Sequence, residues 1–438
     1  MHPAVREAYE AKRLSGAALG ARLDGVESIV TGLLTGQARA VMRAIGPRDA
    51  RRPLAVYLGI LVEPYAFLRD PAVRVVSGFF GPLERMARAA ELPIEFLPAD
   101  FQGFEKLTLA LRPRAVAAPV TPPDDEGYCA FGLNSGSMFR PFLEAARDPE
   151  RLAIAEVNPR LPRIAGLPEL GNHRVHVSEI DVIVEDDAPL VTVPYAQPVE
   201  EQRAIARWVA ELIEDGATLQ FGIGGIPNAV AELLCAEAKG DFGIHSEMLV
   251  DGIMRLHEAG KVANRKGVHD GLSIGTFAGG SEALYRWLDR NPIVRLLPVS
   301  EVNSPPLLAC MRRFTSINAA LAIDLHGQVV ADVIADRQYS GVGGHETFTM
   351  GAREAPGGKS IICLRSTATV AGKRLSTIVA GFPAGSIVTT PRHQVQYIVT
   401  EHGIAELEDR SDRQRADALI AIAHPDFRAD LRRAWREL

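Results

Sequence analysis

The stretch LQFGIGGIPNAVAELL, residues 219–234, decides the fold class of this sequence. It begins as an apolar strand, passes through a glycine-rich turn at 222–225 and opens a helix. Pro227 fits the first helical position, where its missing N–H would have no intrahelical partner. A strand that leads through a tight turn into a helix is the repeating unit of parallel α/β sheets. The stretch therefore predicts an α/β protein.

The same alternation extends outward on both sides. Residues 5–14 and 17–44 carry apolar side chains at helical spacing and predict helices, as does the amphipathic stretch 200–213. Short apolar runs predict buried strands of a mostly parallel sheet that is covered on both faces; they are 54–58, 73–77, 94–97, 115–119, 152–156 and 180–184.

The stretch 180–198, in which a strand-like run is followed by an acidic turn and three prolines, is a candidate boundary between domains. A length of 438 residues suits two or three domains. The sequence therefore predicts two α/β domains, 1–195 and 196–438, and the second carries the stretch quoted above.

Composition excludes several classes of protein. Hydrophobic residues make up 47% of the chain, and 48 Lys+Arg against 54 Asp+Glu give a net charge of −6, which does not fit a disordered chain or a nucleic-acid-binding surface. The charged N-terminus and the absence of a membrane-length apolar run predict a cytoplasmic protein with no membrane partner. Four cysteines without a CxxC pair predict no disulfide framework and no metal site.

Two glycine loops are candidates for binding an anion. Gly222, Gly224 and Gly225 precede a helix whose first N–H groups would point at a ligand. A second loop carries Gly341, Gly343 and Gly344, whose backbone N–H groups would form an anion-binding nest or an oxyanion hole. For either loop alone, a plain turn without a ligand is the competing interpretation.

A carboxylate follows the first loop by one helix. The stretch DFGIHSEM, residues 241–248, predicts the next strand, with Glu247 at its C-terminal end. Open α/β sheets bind their ligands outside that end of the strands. An exposed glutamate at a strand end is the alternative interpretation, and for this residue alone it is the commoner one.

Two kinds of chemistry fit these residues. Gly222 and Gly224, with Glu247 further along, resemble a dinucleotide fingerprint and would indicate a nicotinamide-dependent oxidoreductase, although the third glycine is missing. The other possibility is covalent catalysis, in which a glutamate attacks an acyl group and the glycine loops hold the oxyanion. The residues alone leave both open.

Five long motifs carry a resemblance to a known family: LQFGIGGIPNAVAELL (219–234), DFGIHSEMLVDGIMRL (241–256), DRQYSGVGGHETF (336–348), IVTTPRHQVQYIVTEHGIAEL (387–407) and AHPDFRADL (423–431). In this order they resemble the acetyl-CoA hydrolase/transferase family, within the branch of class I CoA-transferases that includes 4-hydroxybutyrate CoA-transferase. Shorter matches at 124–128, 155–158 and 180–181 extend the resemblance into the first half.

The resemblance implies two open, mostly parallel α/β domains with the active site between them. Glu247 matches the catalytic glutamate, and the glycines of both loops match segments that hold the oxyanion and contact CoA. The implied activity is transfer of CoA between short-chain carboxylic acids through a glutamyl-CoA thioester, with acetyl-CoA hydrolysis as the alternative. Candidate substrate contacts, each of which also fits a packing role, are Gln220, Met248, Asn318, Tyr339 and Ser340.

The resemblance also bears on cofactors and assembly. CoA and acyl-CoA are expected as substrates, and neither a metal nor a tightly bound cofactor is expected. The family leads us to expect a homodimer or a larger homo-oligomer.

Overall fold

The structure, a computed structural model, describes residues 2–334 and 337–437. Asp336, which opens the second glycine motif, lies outside the described residues. The α-helices, α1 to α15 in chain order, are Pro3–Lys12, Gly16–Leu23, Arg39–Arg43, Pro82–Ala89, Phe101–Leu111, Phe139–Ala146, Glu200–Leu212, Gly225–Ala236, Asp251–Glu258, Glu282–Leu288, Val299–Val302, Pro305–Leu308, His345–Glu354, Asp412–Ile422 and Arg428–Glu437.

The β-strands, β1 to β26 in chain order, are Ser28–Leu33, Leu54–Gly59, Val73–Ser77, Ile94–Phe96, Ala115–Val120, Tyr128–Ala130, Leu152–Val157, Arg174–His176, Val182–Glu185, Thr218–Phe221, Gly243–Ile244, Met248–Leu249, Ser273–Gly275, Phe277–Ala278, Val294–Leu296, Phe314–Ala319, Ala322–Asp324, Val329–Val330, Val333–Ile334, Arg337–Gln338, Lys359–Cys363, Thr367–Val370, Lys373–Ser376, Ile378–Val379, Tyr397–Thr400 and Gly403–Glu406. Short 3₁₀ turns, among them Arg392–Gln394, connect some of these elements.

The chain forms two compact units. The first consists of Met1–Val193 with Ile274–Val302, and the second of Pro194–Ser273 with Asn303–Leu438. The chain first passes from one unit to the other between Val193 and Pro194, two residues before the predicted 195/196 boundary. The segment 274–302 belongs to the first unit, although no local pattern in the sequence separates it from its neighbours.

A seven-stranded parallel sheet forms the centre of the first unit. Its strand order is β4-β3-β2-β1-β5-β7-β9, and its central strands are buried on both faces, as a parallel sheet between helices requires. The helix predicted over 17–44 is wrong, because β1 (Ser28–Leu33) runs through its middle. The β-branched Ile29, Val30 and Thr31 are all buried there. A strand buried on both faces shows no alternation of apolar and polar residues, so its apolar run cannot be distinguished from part of a helix by periodicity.

The second unit contains a six-stranded sheet of order β11-β10-β16-β21-β25-β26, parallel except for the last pair. The chain leaves β10 toward β11 on one side and later returns to β16 on the other. This reversal creates a topological switch point between β10 and β16, the usual place for a ligand in an open α/β sheet. Helix α13 packs on one face, where Phe348 meets Phe314 of β16 at 6.1 Å between ring centroids.

The predicted class, α/β with mostly parallel sheets, is confirmed. Two local predictions need correction. The strand expected over 241–248 is interrupted: β11 covers only Gly243–Ile244, and Glu247 lies in a bend before β12. Pro227 is the third residue of α8 rather than the first, a position whose N–H also lacks an intrahelical partner. No helix of the described residues is long and apolar enough to cross a membrane.

Candidate active site

The candidate site lies at the carboxyl edge of the second unit's sheet. The first glycine loop follows β10, Glu247 follows β11, and Asn318 lies near the end of β16. Residues Phe221 and Ile317 are register partners, so Gly222 and Asn318 come next to one another along neighbouring strands. The sheet thus brings the first loop, the glutamate and Asn318 to its switch point.

Glu247 is held by an amide. Nδ2 of Asn303 donates a hydrogen bond to Oε2 of Glu247 over 2.6 Å, a short distance that is typical of a charge-assisted bond. Asn303 is completely buried, and its Oδ1 has no hydrogen-bond partner within the described residues. The sequence does not predict a role for Asn303, because a single asparagine 56 positions from the glutamate carries no pattern that links the two.

Gly344 lies directly against the same carboxylate. A Cβ atom built on Gly344 would overlap Oε2 of Glu247 and would fall 2.7 Å from both Nδ2 of Asn303 and the ring of Phe348. Only a residue without a side chain fits between these three groups. Gly344 is also the residue that precedes α13, so the glutamate lies at the N-terminal end of that helix.

Ser246 connects the glutamate's bend to the first loop. Its buried hydroxyl donates to the carbonyl of Phe221 over 3.0 Å and accepts from the N–H of the same residue over 3.2 Å. Phe221 is the last residue of β10. The Ser246 hydroxyl therefore holds the bend that contains Glu247 against the start of the first glycine loop.

The three glycines of the first loop have different environments. A Cβ on Gly222 or Gly224 would meet nothing within 4 Å, so both border open space, and Gly224 has a φ of +120° that L side chains rarely adopt. At Gly225 a Cβ would instead fall 2.6 Å from Cδ of Gln202 on α7. Packing between α7 and α8 is enough to explain Gly225, whereas nothing in the described structure requires a glycine at 222.

The second loop carries Gly341, Gly343 and Gly344 ahead of α13. Gly343 has a φ of +57°, in the left-handed region, and Gly341 is buried. The two residues before the loop, Tyr339 and Ser340, both donate their N–H to the carbonyl of Asp332, over 2.8 and 3.1 Å. Tyr339 is 41% exposed.

The remaining predicted contacts lie in or beside the sheet. Gln220 is buried in β10, where its Oε1 accepts from the N–H of Ile317 on β16. Met248 is buried at the start of β12. Asn318 shares the α13 face of β16 with Phe314, and its buried Nδ2 has no hydrogen-bond partner within the described part of the chain. Gln220 thus serves the sheet, while Asn318 offers an unused donor.

Two ionisable residues follow Gly344 at the start of α13. Burial lowers the pKa of His345 to about 4 and raises the pKa of Glu346 to about 7. Both side chains reach the hydroxyl of Thr390, so they belong to the second loop's surroundings. Among residues 2–334 and 337–437, no three His, Cys, Asp or Glu side chains are clustered so that they could hold a metal ion.

An open α/β sheet that presents a glutamate between an amide donor and a glycine at a helix start is suited to nucleophilic chemistry on an acyl group. Comparison with known proteins identifies the family. Residues 280–435 match the sequence model of the acetyl-CoA hydrolase/transferase C-terminal domain. The chain is 43% identical over 320 residues to 4-hydroxybutyrate coenzyme A transferase of Clostridium kluyveri, covering 73% of this chain and 71% of the relative.

Solved structures extend the similarity to the whole chain. RipA from Yersinia pestis has a TM-score of 0.87 at 31% identity, and 4-hydroxybutyrate CoA-transferase from Porphyromonas gingivalis has a TM-score of 0.78 at 30% identity, with 99% of both chains covered in each case. The chain belongs to the acetyl-CoA hydrolase/transferase family and is an enzyme of the CoA-transferase type, as the resemblance predicted.

Proposed function

We propose that this enzyme transfers CoA between short-chain carboxylic acids, with Glu247 as the covalent nucleophile. The observation that carries the proposal is the position of the Glu247 carboxylate, which is bonded to Asn303 and abuts Gly344 at the start of α13. A helix start favours negative charge, both on a carboxylate and on an oxyanion that forms beside it. The names of the relatives support the choice of CoA as the transferred group.

The reaction would proceed in two half-reactions. The Glu247 carboxylate attacks the thioester carbonyl, the C–S bond breaks, and an acyl-glutamyl anhydride and CoA thiolate result. The thiolate then attacks the glutamyl carbonyl, which releases the first carboxylate and leaves a glutamyl-CoA thioester. A second carboxylate reverses these steps and departs as the new acyl-CoA, so the cycle is ping-pong.

The glycine loops would supply the electrostatic part of catalysis. Backbone N–H groups of 341–344 are suited to the developing oxyanion, because no side chain separates Gly344 from the Glu247 carboxylate. The open space at Gly222 and Gly224 fits close approach of the CoA chain or the acyl group, and the free Nδ2 of Asn318 is a candidate donor to the carboxylate substrate. Met248, Tyr339, Ser340 and Gln220 stay predictions as direct contacts.

Hydrolysis is the second candidate, since the matched family includes acetyl-CoA hydrolases. The two activities share the glutamyl intermediate and differ only in whether water or a carboxylate attacks it. Transfer is the better proposal, because a covalent glutamate is an indirect route to simple hydrolysis. Family membership does not support the nicotinamide oxidoreductase considered earlier. Cytoplasmic location, the homo-oligomer and the absence of a tightly bound cofactor stay predictions.

Two-substrate kinetics test the proposal. We expect parallel lines in double-reciprocal plots of rate against acetyl-CoA at several butyrate concentrations, and little release of free CoA when butyrate is omitted. Glu247→Gln should abolish transfer, whereas the control Glu354→Gln, at an exposed position on α13, should not change it. Intersecting lines would contradict the covalent mechanism, and undiminished CoA release without butyrate would identify a hydrolase.

A further inference from the structure

A buried polar cluster lies beside the second glycine loop and takes no part in the mechanism above. We call Asp332, His345, Glu346, Thr389 and Thr390 the Thr390 cluster. The Thr390 hydroxyl is its centre: it donates a short hydrogen bond to Oε1 of Glu346, and Nε2 of His345 lies 2.9 Å from the same oxygen. The side chains of His345 and Glu346 are only 9% and 21% exposed, so these bonds are shielded from water.

The other carboxylate of the cluster holds the opposite end of the loop. Oδ1 of Asp332 accepts from the Thr389 hydroxyl over 2.5 Å, and Oδ2 accepts from Nε2 of Gln338 over 3.0 Å. The carbonyl of Asp332 also accepts the N–H of Ser340, the residue before the loop. Thr389 and Thr390 are adjacent, and Thr390 forms an isolated β-bridge with Val329. Their hydroxyls therefore connect Asp332, which anchors the start of the loop, with His345 and Glu346, which follow its end.

We propose that Glu346 is a positioning residue that, through Thr390 and His345, fixes the 341–344 backbone against Glu247. This inference rests on the proposed function, because it assigns to the cluster the task of holding the oxyanion loop. Gly344 immediately precedes His345 and has no clearance from the Glu247 carboxylate. A small shift of the cluster is therefore passed directly to the catalytic group.

The cluster also responds to protonation. The Thr390 hydroxyl has a single hydrogen, so an ionised Glu346 must accept it, and His345 then donates from Nε2. A protonated Glu346 donates instead, Thr390 donates to His345, and the imidazole takes the other tautomer. The pKa of Glu346 lies at about 7, raised by burial and further by the charge of Asp332, while His345, with a pKa of about 4, stays neutral.

Within the described part of the chain, the charged group that acts on Glu346 is Asp332, which, in addition to burial, raises its pKa. The elements packed against α13 are α12, β16, β21 and the 3₁₀ turn Arg392–Gln394. Strand β21 carries Lys359, which forms an ion pair with Glu214. The 3₁₀ turn carries Arg392, which forms an ion pair with Asp412, and it also carries His393. Glu247 lies across Gly344. Ionisation of Glu346 therefore places a second negative charge beside the loop that must stabilise the oxyanion, and activity should decline as pH rises past 7.

Three variants test this assignment: Thr390→Val, Thr390→Ser and Glu346→Gln, with Glu354→Gln as the matched control. In butyrate-dependent transfer, Thr390→Val should lower kcat about tenfold with little change in the KM for acetyl-CoA, and Thr390→Ser should restore it, because the hydroxyl alone matters. Wild-type kcat should fall by up to about tenfold between pH 6 and pH 8, and Glu346→Gln should be flat over that range.

The outcomes separate this inference from the proposed function. A wild-type enzyme without transfer activity or a covalent adduct would mean that the proposed function has failed. An active wild type would overturn the inference alone if Thr390→Val had normal kcat, or if Glu346→Gln kept the wild-type pH profile. Thermal unfolding of each variant shows that lost activity is not lost folding. If Thr390→Val does not fold, Glu346→Gln and Thr390→Ser still decide the matter.

Discussion

Replacing Gly344 with alanine should displace the Glu247 carboxylate and slow CoA transfer. The added Cβ would fall 2.7 Å from Nδ2 of Asn303 and from the ring of Phe348, so each must retreat about 0.7 Å to reach an ordinary contact near 3.4 Å. Oε2 of Glu247, which the Cβ overlaps more deeply, must move by about 1 Å. A displacement of that size typically costs about 100-fold in rate, or about 2.7 kcal/mol in the barrier.

The assay is steady-state transfer from acetyl-CoA to butyrate together with urea unfolding. We expect kcat to fall about 100-fold and the free energy of unfolding to fall by about 1–3 kcal/mol, the usual cost of overpacking. Gly381→Ala is the control, since a Cβ there meets nothing within 4 Å. A Gly344→Ala enzyme within threefold of wild-type kcat would refute the claim that the glycine positions the carboxylate.

Three further predictions follow from the same geometry. Asn303→Ala removes a hydrogen bond to a charged group, so single-turnover rates should fall about 10- to 100-fold; an unchanged rate would show that the amide does not orient Glu247. Gly222→Ala should raise the KM for acyl-CoA and leave the free energy of unfolding unchanged within about 0.5 kcal/mol. Gly224→Ala should lower the free energy of unfolding by about 1–3 kcal/mol, because Gly224 has a φ of +120°. Equal effects of the two substitutions on urea unfolding would contradict this prediction. Burial raises the pKa of Glu346 in the folded state to about 7, above its ordinary value of 4.5, so its contribution to stability is complete below pH 4.5 and is lost as pH rises through 7. Glu346→Gln should therefore remove up to about 3 kcal/mol of the stability difference between pH 5 and pH 8, and urea unfolding of both proteins at the two pH values measures it.

Much of the fold could be predicted from local patterns. The strands at 73–77 and 152–156 and the helix from Glu200 agree with the structure closely, because short apolar runs and a clear helical period report directly on burial. The strand at Ser28–Leu33 could not be recognised, since a strand buried on both faces has no alternation. The segment 274–302 joins the first unit through contacts that are distant in sequence, which no local pattern records.

The candidate site likewise contains residues that the sequence predicts and residues that only the fold brings together. Glu247 and the glycines of both loops stand in continuous motifs, so the sequence pointed to them. Asn303, Ser246 and the Thr390 cluster act through hydrogen bonds between segments that only the folded sheet brings together. The packing reason for Gly225, a close approach to Gln202 of α7, is equally invisible in the sequence.

The central claim is that Glu247 becomes covalently attached to CoA. The direct measurement is the intact mass of the enzyme mixed with acetyl-CoA, followed by borohydride reduction and peptide mapping, with Glu247→Ala and the control Glu354→Gln in parallel. We predict a CoA-sized adduct on wild type and on Glu354→Gln, its reduced remnant on the peptide that contains Glu247, and none on Glu247→Ala. Turnover of acetyl-CoA by wild type with no adduct, or an adduct that persists on Glu247→Ala, would contradict the claim.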